Sequence, residues 1–114
     1  YKNSLSHIEG FIFPNEVSFG NSNYWLTTMF INHQKSNIHR DELINALEKE
    51  NIESRPIWKP MHLQPLYKGT DYITQDNNDV SAQLFNEGLC LPSGSSLSEK
   101  DQDKIIQIIK SLIK

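Results

Sequence analysis

At 114 residues the chain is long enough for one domain with a buried core and too short for two. Hydrophobic residues at 37% and charged residues at 22% describe a soluble globular sequence, and a formal net charge of −3 excludes the basic footprint of bulk nucleic-acid binding. No apolar run is long enough to cross a bilayer as a helix, and the single cysteine cannot form an internal disulfide, which points to a reducing, cytoplasmic setting.

In chain order, Tyr1, Leu5 and Ile8 have helical spacing, and the stretch from Tyr1 to Gly10 reads as the tail of a helix. Phe11-Ile12-Phe13 before Pro14 predicts a short edge strand, because proline cannot donate to a ladder. Asn15 to Asn23 is a turn-rich connection. Tyr24 to Ile31 predicts the central strand, with aromatic and β-branched residues dense enough for burial on both faces. Asn32 to Asn37 is polar and predicts a loop. A helix is then expected over about Ile38 to Glu50, with Asn37 as its cap, Asp41 and Glu42 in its first turn, and Leu43, Ile44 and Leu47 as its buried stripe. Asn51 suits the left-handed position that stops it.

Ile52 to Trp58 returns extended, and Leu66 to Asn78 is irregular, with a turn at Lys68-Gly69-Thr70-Asp71. A short helix is expected over about Asp79 to Glu87, terminated by Gly88. Leu89-Cys90-Leu91 predicts a brief strand ended by Pro92. Ser98 caps the last helix with Asp101 at its third position, and Ile105, Ile108, Ile109 and Leu112 face inwards. The alternation predicts an α/β, two-layer α+β domain, a few-stranded sheet with helices packed on one face.

The distinctive stretch is Glu53-Ser54-Arg55-Pro56-Ile57-Trp58-Lys59-Pro60-Met61-His62-Leu63-Gln64-Pro65. It holds three of the five prolines and one of the two tryptophans. Proline fixes φ and pushes the residue before it towards extended geometry, so a stiff strap is expected. Such a strap presents Arg55, Trp58, Lys59 and His62 at low entropic cost. Arg55 offers a fork for phosphate or carboxylate, Lys59 a point charge, Trp58 a flat face and His62 a ring that donates or accepts near neutral pH. Alternatively the segment is a connector: Arg55 ties down a loop carboxylate, and Trp58 and Met61 fill a core.

Other candidates carry less. His7, His33 and His39 lack a tight ligand spacing and Cys or carboxylate partners, so no zinc site is expected. Cys90, between two leucines, reads as a small buried hydrophobe. Ser93 to Ser96 lacks the flanking pattern of a phosphate loop and reads as a linker.

The run from Ile52 to Pro65 resembles the C-terminal signature of the DegT/DnrJ/EryC1/StrS family of sugar aminotransferases. The likeness includes Tyr24-Trp25-Leu26, Arg40-Asp41-Glu42-Leu43-Ile44, Gly88-Leu89-Cys90-Leu91-Pro92-Ser93-Gly94 and Leu97-Ser98, several blocks in the right order. The resemblance implies the small C-terminal domain of a fold-type I aminotransferase, residues 1–114, whose large domain would precede Tyr1. It implies pyridoxal phosphate as cofactor, with both the lysine that forms an imine and the acid facing the pyridinium nitrogen in that large domain. Lys59 is therefore not assigned the imine role, and the chain alone is expected to be inactive. Arg55, Trp58, Lys59 and His62 are implied to face a nucleotide-sugar or the cofactor at the mouth of the site. The full enzyme is expected to form a homodimer and to move an amino group from glutamate to a UDP-linked 4-keto-6-deoxy sugar destined for surface polysaccharide or lipopolysaccharide. Alternatives are a non-catalytic α/β module that binds a nucleotide-sugar or a protein, and a dehydratase sibling in which a His replaces the imine-forming Lys.

Overall fold

The computed structural model describes residues 1–113. Four antiparallel strands form one sheet in the order β1 (Phe11–Ile12), β2 (Thr27–Ile31), β4 (Gly88–Leu91), β3 (Arg55–Pro56). The two centre strands pair from Thr27 opposite Leu91 to Phe30 opposite Gly88. Side chains alternate across a strand. Met29 and Ile31 of β2 and Leu89 and Leu91 of β4 thus line one face, at most 2% exposed.

Helices α3 (Arg40–Lys49) and α5 (Glu99–Ser111) pack on each other over this core. They contribute Leu43, Leu47, Ile105, Ile106 and Ile109, while Leu5 of the short α1 (Lys2–Leu5) and Phe11 of β1 close its margin. Ile108 and Leu112 pack against the core as partly buried residues. The other face of the sheet, carrying Phe30 and Gly88, meets Ile57 and the carbonyl of Leu84 in α4 (Val80–Glu87). This is the two-layer α/β arrangement expected from the alternation of strands and helices.

Local chemistry sets the element boundaries. The last turn of α3 ends with Asn51 at φ 58°, Asn51 N–H donating to Glu48 O at 2.9 Å and Ile52 N–H to Leu47 O at 3.0 Å, the paired bonds of a Schellman ending. Ser98 Oγ accepts from Asp101 N–H at 3.1 Å and donates to its carboxylate at 2.6 Å, which caps α5 as expected.

Four boundaries differ from expectation. The central strand begins at Thr27, not Tyr24. Tyr24 has φ 50°, and the side chains of Ser22 and Asn23 accept from the N–H groups of Tyr24 and Trp25, so the chain turns before it can pair. The polar run after β2 contains a helical turn, α2 (His33–Ser36), capped by the Asn32 side chain on Gln34 N–H at 3.1 Å. Asn37, at φ 58°, ends α2 and does not cap α3; that position belongs to His39, whose N–H donates to Glu42 Oε1 at 2.8 Å. Finally, the proline strap is extended only as far as Pro60, then coils into 3-10 turns at Met61–Leu63 and Pro65–Tyr67.

Candidate functional site: the strap on the sheet edge

β3 hangs the strap on the edge of β4. Arg55 lies opposite Cys90, Pro56 opposite Leu89, and Ile57 N–H donates to Gly88 O at 3.1 Å. An edge strand tolerates proline because one of its sides has no ladder to satisfy. Ile57 reaches the sheet beside Gly88, and the next side chain, Trp58, points outwards, 62% exposed.

Trp58 does not stand alone. Its indole stacks on Trp25, 33 positions earlier in the chain, with centroids 5.9 Å apart and planes at 29°. Trp25 is itself 70% exposed, so the pair is an open aromatic surface and not a core contact. Arg55 is exposed and its fork rests on Glu53, with Nε to Oε1 at 2.7 Å. A solvent-exposed pair of this kind contributes about 0–1 kcal/mol, so a ligand anion can replace Glu53 at small cost. Lys59 is exposed between Trp58 and Pro60.

His62 sits differently. Its side chain is 15% exposed, and Nε2 lies 2.7 Å from Asp79 Oδ2. Tyr72 stacks flat on the imidazole, with centroids 3.6 Å apart and planes at 8°. Asp79 is also the cap of α4: Oδ1 accepts from Ala82 N–H at 2.9 Å and from Ser81 Oγ at 3.0 Å. Ala82 N–H, then the Ser81 hydroxyl and the His62 ring, hold the Asp79 carboxyl below the usual carboxylate range. The first 3-10 turn is thereby tied to the start of α4.

The structure thus leaves Arg55, Trp58 and Lys59 exposed along the strap and holds His62, a few residues on, in a clamp. Trp25, Tyr72 and Asp79 complete this constellation, and none of them is a site candidate from sequence. Asp79 could have been found as an Asp before an apolar helix. Trp25 was hidden because Tyr24 and Trp25 read as strand, and nothing local marks Tyr72.

The chain belongs to the DegT/DnrJ/EryC1/StrS aminotransferase family. The model of that family matches residues 1–110. The chain is 41% identical over 113 residues to EpsN of Bacillus subtilis (strain 168), provisionally named a pyridoxal phosphate-dependent aminotransferase, covering 98% of this chain and 28% of that protein. It is 34% identical over 88 residues to a GDP-perosamine synthase of Vibrio cholerae, covering 77% of this chain and 23% of that protein. Among solved structures, a DegT DnrJ EryC1 StrS aminotransferase from Brucella abortus superposes with a TM-score of 0.76 at 30% identity, over 98% of this chain and 28% of that one. The chain therefore spans about a quarter of the length of these relatives.

Pyridoxal phosphate is the cofactor that goes with this family. Lys59, the lysine of the strap, is exposed, and among the described residues no ion pair joins it to a carboxylate. Imine formation and pairing of the pyridinium nitrogen need a lysine and an acid facing each other across the cofactor, which the strap does not offer.

Proposed function

We propose that this chain is the small C-terminal domain of a pyridoxal phosphate-dependent sugar aminotransferase, with the cofactor-binding domain in the rest of the protein. The observation that carries the proposal is the strap. A family-matched segment on a sheet edge carries an exposed guanidinium, indole and ammonium, followed by a clamped imidazole. Membership of the family and the quarter-length match to its relatives support the division of labour.

In this proposal the strap forms one wall of the substrate cleft. Arg55 and Lys59 meet the diphosphate of a nucleotide-linked keto-sugar, the Trp58 face with Trp25 behind it meets a ring, and His62 meets the sugar. The substrate proposed is a UDP-linked 4-keto-6-deoxy sugar, the amino donor glutamate and the assembly a homodimer, with the product going to surface polysaccharide or lipopolysaccharide. The chain binds and orients; it carries no chemical step of its own.

The test is to incubate the full-length protein carrying this chain, loaded with pyridoxal phosphate, with glutamate and a UDP-linked 4-keto-6-deoxy sugar. Formation of 2-oxoglutarate in step with an aminated sugar nucleotide is expected. Failure to produce either with any nucleotide-linked keto-sugar contradicts the proposal.

A further inference from the structure

The polar cluster behind the strap decides what His62 can offer a ligand. An ionised carboxylate is acceptor-only, and the Ala82 N–H, the Ser81 hydroxyl and the His62 ring favour that form of Asp79. The ring atom facing it, Nε2 at 2.7 Å, must therefore carry the hydrogen. Tyr72 lies on the flat of the ring, and its hydroxyl is 3.3 Å from Asp79 Oδ1 and 3.0 Å from Ser81 Oγ. Carboxylate, phenol and imidazole are thus one unit, and a half-turn of the imidazole would keep the stack on Tyr72 but carry Nε2 away from Asp79. In a neutral ring with hydrogen on Nε2, Nδ1 has only a lone pair to give.

We propose that Asp79, with Tyr72 and Ser81 packed about it, is a positioning residue that fixes His62 as the Nε2–H tautomer, so that Nδ1 accepts from a hydrogen-bond donor on the ligand. The ligand group it takes is a sugar hydroxyl or an amine, and not a phosphate oxygen, which would need a donor in return. Phosphate recognition falls instead to the exposed Arg55 and Lys59. The proposal rests on His62 being a ligand contact, so the experiment separates the two.

The measurement uses the full-length protein, loaded with pyridoxal phosphate, with glutamate and a UDP-linked 4-keto-6-deoxy sugar as probe. Asp79→Asn keeps a good helix cap but offers Nε2 an amide N–H, which moves the ring hydrogen to Nδ1. Asp79→Ser also keeps a cap and removes the partner of Nε2. The expected result is a move of the ring hydrogen to Nδ1 in the 15N shifts of His62 in Asp79→Asn, a mixture of both tautomers in Asp79→Ser, and in Asp79→Asn a fall in kcat/KM for the sugar of about tenfold or more, the size of one lost hydrogen bond to a ligand. The fold should remain intact by circular dichroism at the assay temperature because the cap survives, with only a modest fall in melting temperature from the lost carboxylate and its bond to His62. Wild-type kcat/KM in both Asp79 variants, with His62→Ala impaired, overturns the positioning role and leaves the contact standing. Wild-type kcat/KM in His62→Ala removes the contact, and the positioning role with it. A fall in kcat/KM that tracks a lowered melting temperature, with the tautomer unchanged, reduces Asp79 to a structural tie.

Discussion

The Trp25 and Trp58 indoles stack at a centroid distance of 5.9 Å, and this contact fastens the strap to the residues that lead into β2. Both rings are more than half exposed, so little of the gain comes from burial. A double-mutant cycle with Trp25→Ala and Trp58→Ala, followed by urea unfolding of the chain, should give a coupling of about 0.5–1.5 kcal/mol. Purely additive effects would mean that the rings are neighbours without interaction.

Gly88 sits where a side chain has no room. A Cβ there would overlap Ile57 Cδ1 and lie 2.5 Å from the Leu84 carbonyl oxygen and 2.9 Å from Phe30 Cδ1. The Leu84 oxygen is backbone and cannot rotate away. Gly88→Ala should therefore destabilise the chain by about 1–3 kcal/mol, and it should loosen the strap as well, because Ile57 N–H bonds to Gly88 O. Denaturant unfolding reads the first effect and hydrogen exchange at Ile57 the second.

Acid should release the strap through Asp79. Its folded pKa is lowered from the ordinary 3.8, first by Ala82 N–H. A lowered folded pKa gives stability that is present above the unfolded value and lost as pH falls through the folded one. Unfolding followed from pH 6 down to pH 2 should show an acid limb below about pH 4 that is shallower in Asp79→Ala.

Alkali acts at the opposite end of the chain. Tyr1 donates its hydroxyl hydrogen to Pro92 O at 3.0 Å, and burial pushes its pKa up from 10.0 to about 12. The folded value is the higher, so the contribution is complete below pH 10 and is lost as pH rises towards 12. Tyr1→Phe should flatten that limb, as read by stability measured at steps between pH 9 and pH 12.

What sequence shows of this chain is what periodicity and capping encode. The stripe of Leu43 and Leu47, the Asn51 stop, the Ser98 cap and the inward isoleucines of α5 follow from spacing and local hydrogen bonding alone. The start of β2 did not follow, because Tyr24 and Trp25 have strand-forming side chains while Asn23 and Ser22 turn the backbone beneath them. The prolines made the strap legible as an extended segment as far as Pro60, but not the 3-10 turns that follow. Its partners were not: Trp25 reaches Trp58 across the sheet, and Asp79 reaches His62 across 17 positions, distances over which no local pattern operates.

The central claim is that the open side of the strap is a wall of the sugar-nucleotide cleft. The most direct measurement is the KM of the full-length, cofactor-loaded protein for a UDP-linked 4-keto-6-deoxy sugar with Trp58→Ala and Lys59→Ala in turn, with the fold checked by circular dichroism. The account predicts that each raises KM about tenfold or more, the loss of a stacking or charge-assisted contact. An unchanged KM and kcat in both variants, with the fold intact, would contradict it.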